Sequence, residues 1–328
     1  EEKNNKIKIK NLIFDKNFKI IDLDNAQINL LDTTNNLNKF NIKKNNNEYY
    51  LKGPIFNANN LIENLLSDDV TPKILNKNFK IFIEIDKLLL DQNYNLDNFN
   101  GDLSIKNQEI IDGNLVGSFS NNKEFKFTVK TSENRKITTL FLDEAKAMVN
   151  RYKFIKGFEG GVLDFYSSKQ NDVSVSKIKI YDFKLQELPA LTKLLTLASL
   201  QGIADLVSGE GIRFKEFEMN FKNKKNLITI EEIYAIGPAI SILMDGYVEK
   251  NKVVSLRGTL VPATTINKVI GSIPIFGQIL VGSKTGEGVF GVSFKIKGPP
   301  KNLETSINPI KTLTPRFITR TLEKIKKN

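Results

Sequence analysis

The side chains in this 328-residue chain able to do chemistry are carboxylates, lysines, tyrosines and hydroxyls, because Cys, His and Trp are all absent. Without Cys or His there is no thiolate nucleophile, no imidazole base, no Ser-His-Asp triad and no transition-metal site of the usual nitrogen and sulfur kind. Paired carboxylates would still support glycoside hydrolysis. The acids, however, are spread through turns and polar strand faces, with no concentration beside aromatics to suggest a sugar cleft. GEGVFG at residues 286–291 fits G-x-G-x-x-G but opens a strand pattern rather than a helix, so it reads as a turn. GQILVGSKT at residues 277–285 places Ser283 between Gly282 and Lys284, which puts a phosphate cradle out of register. Ser174 and Lys177 with Lys284-Thr285-Gly286 match two motifs of serine penicillin-recognising enzymes, but the serine lies within strand alternation and Ser-Asp-Asn is missing. The expectation is a non-enzyme with no metal and no cofactor.

Charge points to no nucleic acid either. Forty-eight Lys and Arg against 37 Asp and Glu leave +11, yet six of the basic residues are Arg. Bidentate phosphate and guanine readout favours Arg, whereas Lys with abundant Asn and Ile is what A- and T-rich codons supply. The absence of Cys suits an oxidising envelope space without proving one. The chain starts at Glu1 with no signal-peptide pattern, which reads as a processed product or excised piece. No run reaches 18 uninterrupted apolar residues, so a soluble or peripheral piece is expected.

The elements that must position these side chains are strands. Ile81, Ile83 and Ile85 alternate with Lys80, Glu84 and Asp86 apart from Phe82, and Phe125, Phe127 and Val129 alternate with Lys126, Thr128 and Lys130. Phe217, Met219 and Phe221 repeat the pattern, as do Phe290, Val292, Phe294 and Ile296 against Ser293, Lys295 and Lys297. Each predicts one wet and one dry face. Over residues 173–183 the parity slips, Val173 and Val175 being odd while Ile178 and Ile180 are even, which predicts a bulge that turns the strand. Asn-rich clusters at 45–47 and 121–123 predict turns; residues 1–100 hold 23 Asn and residues 201–300 only five, so the two ends face different constraints. Helices are expected at 54–66 (from Pro54), 142–151, 188–206 and 315–326. Strands this closely spaced, with no helical crossovers, predict an antiparallel meander, and the chain divides into an Asn-rich part at 1–152 and a second part at 153–328.

From residue 158 to 317 short motifs follow in order: FEGGVLDF, YDFKLQELPALTKLLTLASLQGIADLVSGEGIRFKEFEMNF, AIGPAISILMDGYV, LRGTLVPATTINKVIGSIPIFGQILVG and GVFGVSFKIKGPPKNLETSINPIKTLTPRF. This order resembles the C-terminal region of the AsmA-like envelope proteins, particularly the YhdP type. The resemblance implies a mainly β protein with a few helices, an elongated, strongly curved antiparallel sheet forming an apolar, taco-like groove. It implies the periplasmic part of a bacterial inner-membrane-anchored protein, with the family's N-terminal membrane helix lacking a counterpart here. Its partners would be phospholipid acyl chains, passing between inner and outer membrane, together with envelope proteins.

The residues alone leave two arrangements open. A meander with one greasy face must cover it with a second layer, as in a sandwich, or leave a groove. An open groove gains roughly 0.8 kcal/mol per lipid CH₂ buried and needs no catalytic residue. The candidate groove residues are Ile81, Ile83, Ile85, Phe125, Phe127, Val129, Phe217, Met219, Phe221, Phe290, Val292, Phe294 and Ile296. Ile273, Ile275 and Phe276, in an uncharged stretch, and Arg316 and Arg320, in a basic last helix, are the membrane-proximal candidates. The rival reading is an envelope structural or assembly protein that uses exposed sheet edges.

Overall fold

Asn ends strands throughout this chain. Asn35, Asn46, Asn107, Asn171 and Asn251 sit at hairpin turns with φ between 52° and 62°. Its short amide tolerates this left-handed region, which β-branched residues avoid, and the twist of such turns matches that of the flanking strands. The computed structural model describes residues 5–16, 20–66, 78–107, 109–151, 156–187, 211–262, 291–300 and 302–310.

Contacts divide the chain into two units, residues 1–151 with 162–171, and residues 152–161 with 172–328. The strands of the first unit are β1 (Lys6–Lys10), β2 (Ile13–Phe14), β3 (Ile20–Asp22), β4 (Asn25–Leu31), β5 (Leu37–Asn45), β6 (Glu48–Asn57), β7 (Phe79–Leu89), β8 (Asn95–Lys106), β9 (Glu109–Ser118), β10 (Glu124–Ser132), β11 (Arg135–Leu142) and the latter part of β12 (Lys156–Gln170). Two short helices accompany them, α1 (Asn59–Leu66) and α2 (Lys146–Val149). The second unit holds the start of β12 and then β13 (Val173–Glu187), β14 (Ile212–Lys224), β15 (Leu227–Ile236), β16 (Ile240–Glu249), β17 (Val253–Pro262), β18 (Gly291–Gly298) and β19 (Glu304–Ile310). Seventeen strands are hydrogen-bonded in one sheet, with β2 and β3 forming a separate pair.

In the large sheet β1 pairs with β4, and from β4 onward pairing among the described residues follows chain order and is antiparallel, with one exception. β6 and β7 run parallel, and α1 lies in the connection between them. A parallel neighbour needs a crossover, so this is where the expected pure meander fails. The helix expected at 54–66 starts only at Asn59, because Pro54 lies inside β6. There the β5 register shifts between Lys39 and Asn41, and a Cβ on Gly53 would meet the Lys39 carbonyl oxygen at 2.5 Å. Proline lacks the ladder donor and belongs at such an irregularity. The helix expected at 142–151 shrinks to α2, since Leu142 finishes β11. Within the stretch 173–183, where a bulge is expected, β13 keeps its register against β14 from Val173 to Tyr181. Val175 simply faces outward, 45% exposed. The irregularity of this stretch sits at Asp182, whose φ is 49°, and it keeps Ile180 and Phe183 buried together. Residues 188–206 and 315–326 lie outside the described residues.

Asp32 ties the β4–β5 turn. Its Oδ1 accepts the Thr34 and Asn36 amides at 2.9 Å each and the Thr34 hydroxyl at 2.7 Å, and Oδ2 accepts the Asn57 amide at 2.6 Å. Partial burial pushes its pKa up, but the hydrogen bonds from Asn36, Thr34 and Asn57 outweigh that and bring it down to about 2. A carboxyl held below its unfolded value near 4 stabilises the fold fully above that value and stops doing so as pH falls toward 2. Hydrogen exchange should therefore show the Thr34 and Asn36 amides losing protection between about pH 4 and pH 2 in the wild type. An Asp32→Ala variant should lack that step, and an unchanged profile would count against the assignment.

Candidate functional site

Cross-strand register joins faces that alternation alone leaves separate. In the first unit one row passes from Ile9 through Ala26, Ile42 and Leu51 to Ile83. It continues through Gly101, Leu115, Phe127 and Leu140 to Phe165, so ten strands contribute no polar side chain to it. Ile81 and Val129 lie one level to one side, beside Leu103, Gly113 and Thr138. Ile85 and Phe125 lie one level to the other, beside Phe99 and Leu142. The six candidates of this unit therefore share one face.

Burial along that face is graded. At one end Leu23, Ala26, Tyr49, Phe79 and Ile105 form a packed cluster against which Ile81, Leu103 and Ile110 rest. At the other, Ile85, Leu96, Leu142 and Ala145 are buried to 1% or less, and Arg151 of the segment after α2 donates to the Leu90 carbonyl and to Asn59 Oδ1. Between them Ile83, Phe125, Phe127, Leu140 and Phe165 are only half-buried.

The second unit repeats the arrangement. Ile178, Met219, Ile233, Met244, Gly258, Phe294 and Ile307 form one row across seven strands. Ile180, Phe217, Ala235, Ile242, Leu260 and Val292 flank it on one side, and Phe221, Ile230, Gly246, Leu256 and Ile296 on the other. Phe217, Met219, Phe221 and Ile296 are half-buried, whereas Val292 and Phe294 are buried at 1% and 4%. Phe290, Ile273, Ile275, Phe276, Arg316 and Arg320 lie outside the described residues.

The reverse face carries the charges. Lys80 pairs with Asp102 at 3.1 Å, Lys52 pairs with Glu84, and Tyr50 stacks on Phe82 at 5.1 Å in the first unit. In the second, this face is not uniformly wet as alternation implies. Glu218, Tyr234, Leu243, Thr259 and Val261 are buried on it, and Glu218 is approached by Lys177 at 3.5 Å and Lys179 at 3.7 Å. A concavity of about 880 Å³ opens on the same face, lined by Glu231, Asp245, Tyr247, Arg257 and Lys295. Its carboxylates are paired, Asp245 with Arg257 at 2.8 Å and Glu231 with Lys222 at 2.6 Å. That is an arrangement for charge balance rather than for a general acid and base.

Among the described residues Asp22 is the most enclosed acid of the first unit. It accepts the Tyr49 hydroxyl at 2.5 Å, the Lys44 ammonium at 2.6 Å and the Leu23 amide at 2.9 Å. Burial and the bond to Asp22 push the Tyr49 hydroxyl well above its ordinary pKa, so it remains a donor pinning β3 to β6.

Sequence reasoning missed Leu115, Leu140 and Phe165. Leu163-Asp164-Phe165 does alternate, but Leu140 sits in TTLFL, where both parities are apolar or neutral. The row glycines carry no hydropathy signal at all. Comparison with protein-family models, with curated proteins and with solved structures finds no match. Among the described residues no helix is long and apolar enough to cross a membrane.

Proposed function

We propose that this chain carries phospholipid acyl chains along the apolar faces of its sheet units, without catalysis, as the periplasmic part of an AsmA-like bridge between the inner and outer membranes. The observation that carries the reading is the joining of candidates from separate strands into uninterrupted apolar rows, in which Ile83, Phe127, Leu140 and Phe165 of the first unit are half-buried. A face apolar from strand to strand holds hydrocarbon at about 0.8 kcal/mol per CH₂ without a polar barrier between strands, which is what translation along it requires. The AsmA-like motif order supports the envelope setting.

Photo-crosslinking residues placed at Ile83 and Phe127 in cells should give phospholipid adducts, with Lys126 on the reverse face giving none. A second reading has its own observation. The edge strand β1 leaves Ile7 56% and Ile9 43% exposed, which suits strand addition by an envelope protein. Adducts of polypeptide alone at Ile83 and Phe127 would favour that assembly role and sink the carrier.

A further inference from the structure

Along β11 and β12 the apolar face of the first unit changes chemistry in step. Leu142 faces Leu163, Leu140 faces Phe165, Thr138 faces Ser167 and Lys136 faces Lys169. On β10 alongside, Phe127 and Val129 give way to Thr131 beside Lys136. The surface thus passes from hydrocarbon to hydroxyl to cation within six residues, about 20 Å at roughly 3.3 Å per residue.

Glu109 lies 3.1 Å from Lys136 and 3.7 Å from Lys169, so two ammonium groups share one carboxylate. The hydrogen bond from Lys136, aided by both positive charges, holds the Glu109 carboxyl below its ordinary pKa and keeps it ionised at neutral pH. Lys136 is drawn in rather than extended into water, with 24% of its side chain exposed and a further bond to the Ile110 carbonyl at 3.4 Å.

We infer that this end of the first unit receives the anionic phosphate head of the amphiphile whose tail lies on Phe127, Leu140 and Phe165. The head sits beside Lys136 and Lys169, and the ester and glycerol oxygens lie at the level of Thr138 and Ser167. The inference rests on the carrier reading above and adds to it a ligand class, phospholipids with net negative charge, and a fixed polarity on the face.

The full chain is titrated with three probes: dihexanoyl phosphatidylglycerol, dihexanoylglycerol with the same tails, and inorganic phosphate. Wild-type protein should hold the phospholipid about tenfold or more tighter than the diacylglycerol, each cation near an anionic group contributing comparably. Lys136→Gln with Lys169→Gln should abolish that margin and leave diacylglycerol binding unchanged. Glu109→Gln, which leaves both cations in place, should widen the margin a few-fold. A margin that survives the double variant, a margin that Glu109→Gln narrows or leaves alone, or inorganic phosphate binding as tightly as the phospholipid would each overturn the inference. Diacylglycerol binding with no phosphate margin in the wild type defeats the headgroup site alone. No binding of either lipid defeats the carrier reading and this one with it.

Discussion

Phe127→Glu is expected to weaken binding of a neutral acyl probe such as dihexanoylglycerol by more than about a hundredfold while the protein still unfolds cooperatively. Phe127 is half-buried in the middle of its row, between Leu115 and Leu140. An empty face leaves a carboxylate at this position in contact with water, so the cost to the fold should be only about 1–2 kcal/mol. A hydrocarbon tail must strip that water away, and desolvating a charge costs several kcal/mol, where each 1.4 kcal/mol is tenfold in affinity. Phe127→Leu should bind nearly as wild type. Binding by Phe127→Glu that matched wild type would mean that no tail passes this point. Alternation alone makes Phe294→Glu an equivalent probe, and the structure corrects this. Phe294 is 4% exposed, and its ring lies so close to Gly258 that a Cβ there would sit 2.7 Å from Cζ. Losing a buried Phe costs about 3–5 kcal/mol before any charge is counted, which is comparable to the whole stability of many domains. Phe294→Glu should therefore abolish the cooperative melting of the second unit, and a folded Phe294→Glu protein would contradict the packing described.

The second large effect is expected at the row glycines. Gly101 has φ +145°, and a Cβ there would lie 1.9 Å from the Asn114 carbonyl oxygen; Gly246 in the other unit has φ +148° and a corresponding distance of 2.1 Å to the Ser255 carbonyl. Only glycine occupies that backbone region without strain of roughly 1–3 kcal/mol, and the neighbouring strand must also move aside. Gly101→Ala and Gly246→Ala should each destabilise by about 3 kcal/mol or more, read as a lower urea midpoint with the same slope. Each glycine sits in or beside an apolar row, so even a folded variant should bind acyl probes more weakly. A loss below about 1 kcal/mol would show that the close approach is not required.

These residues also mark where sequence reading stops. Parity within a strand follows from alternation, so the shared face of Ile81, Ile83 and Ile85 is legible in the sequence. Which strand lies beside which follows from turns, and the Asn signals at residues 45–47 and 121–123 were readable for the same reason. A register between strands is set by backbone detail that hydropathy does not carry. Asp182 and Asn98, with positive φ inside strands, are ordinary polar residues in the sequence. The burial of Glu218 and Tyr234 on the charged face depends on long-range packing, as does the meeting of Lys136, Lys169 and Glu109.

The seam at β6 and β7 governs how such a sheet changes length. On either side of it the strands from β5 onward are bonded to their predecessors in the chain, while β4 pairs with β1 past the β2–β3 hairpin, so energetics are close to nearest-neighbour. Duplicating one hairpin would insert two strands, about 10 Å of width, without rewiring any other pair. Among the described pairings the helix-bearing crossover at α1 alone breaks the alternation of direction, so copying the two strands that flank it would reverse the sense of everything downstream. Span is thus a quantity that gene duplication can tune in whole hairpins, provided the breakpoints avoid that crossover.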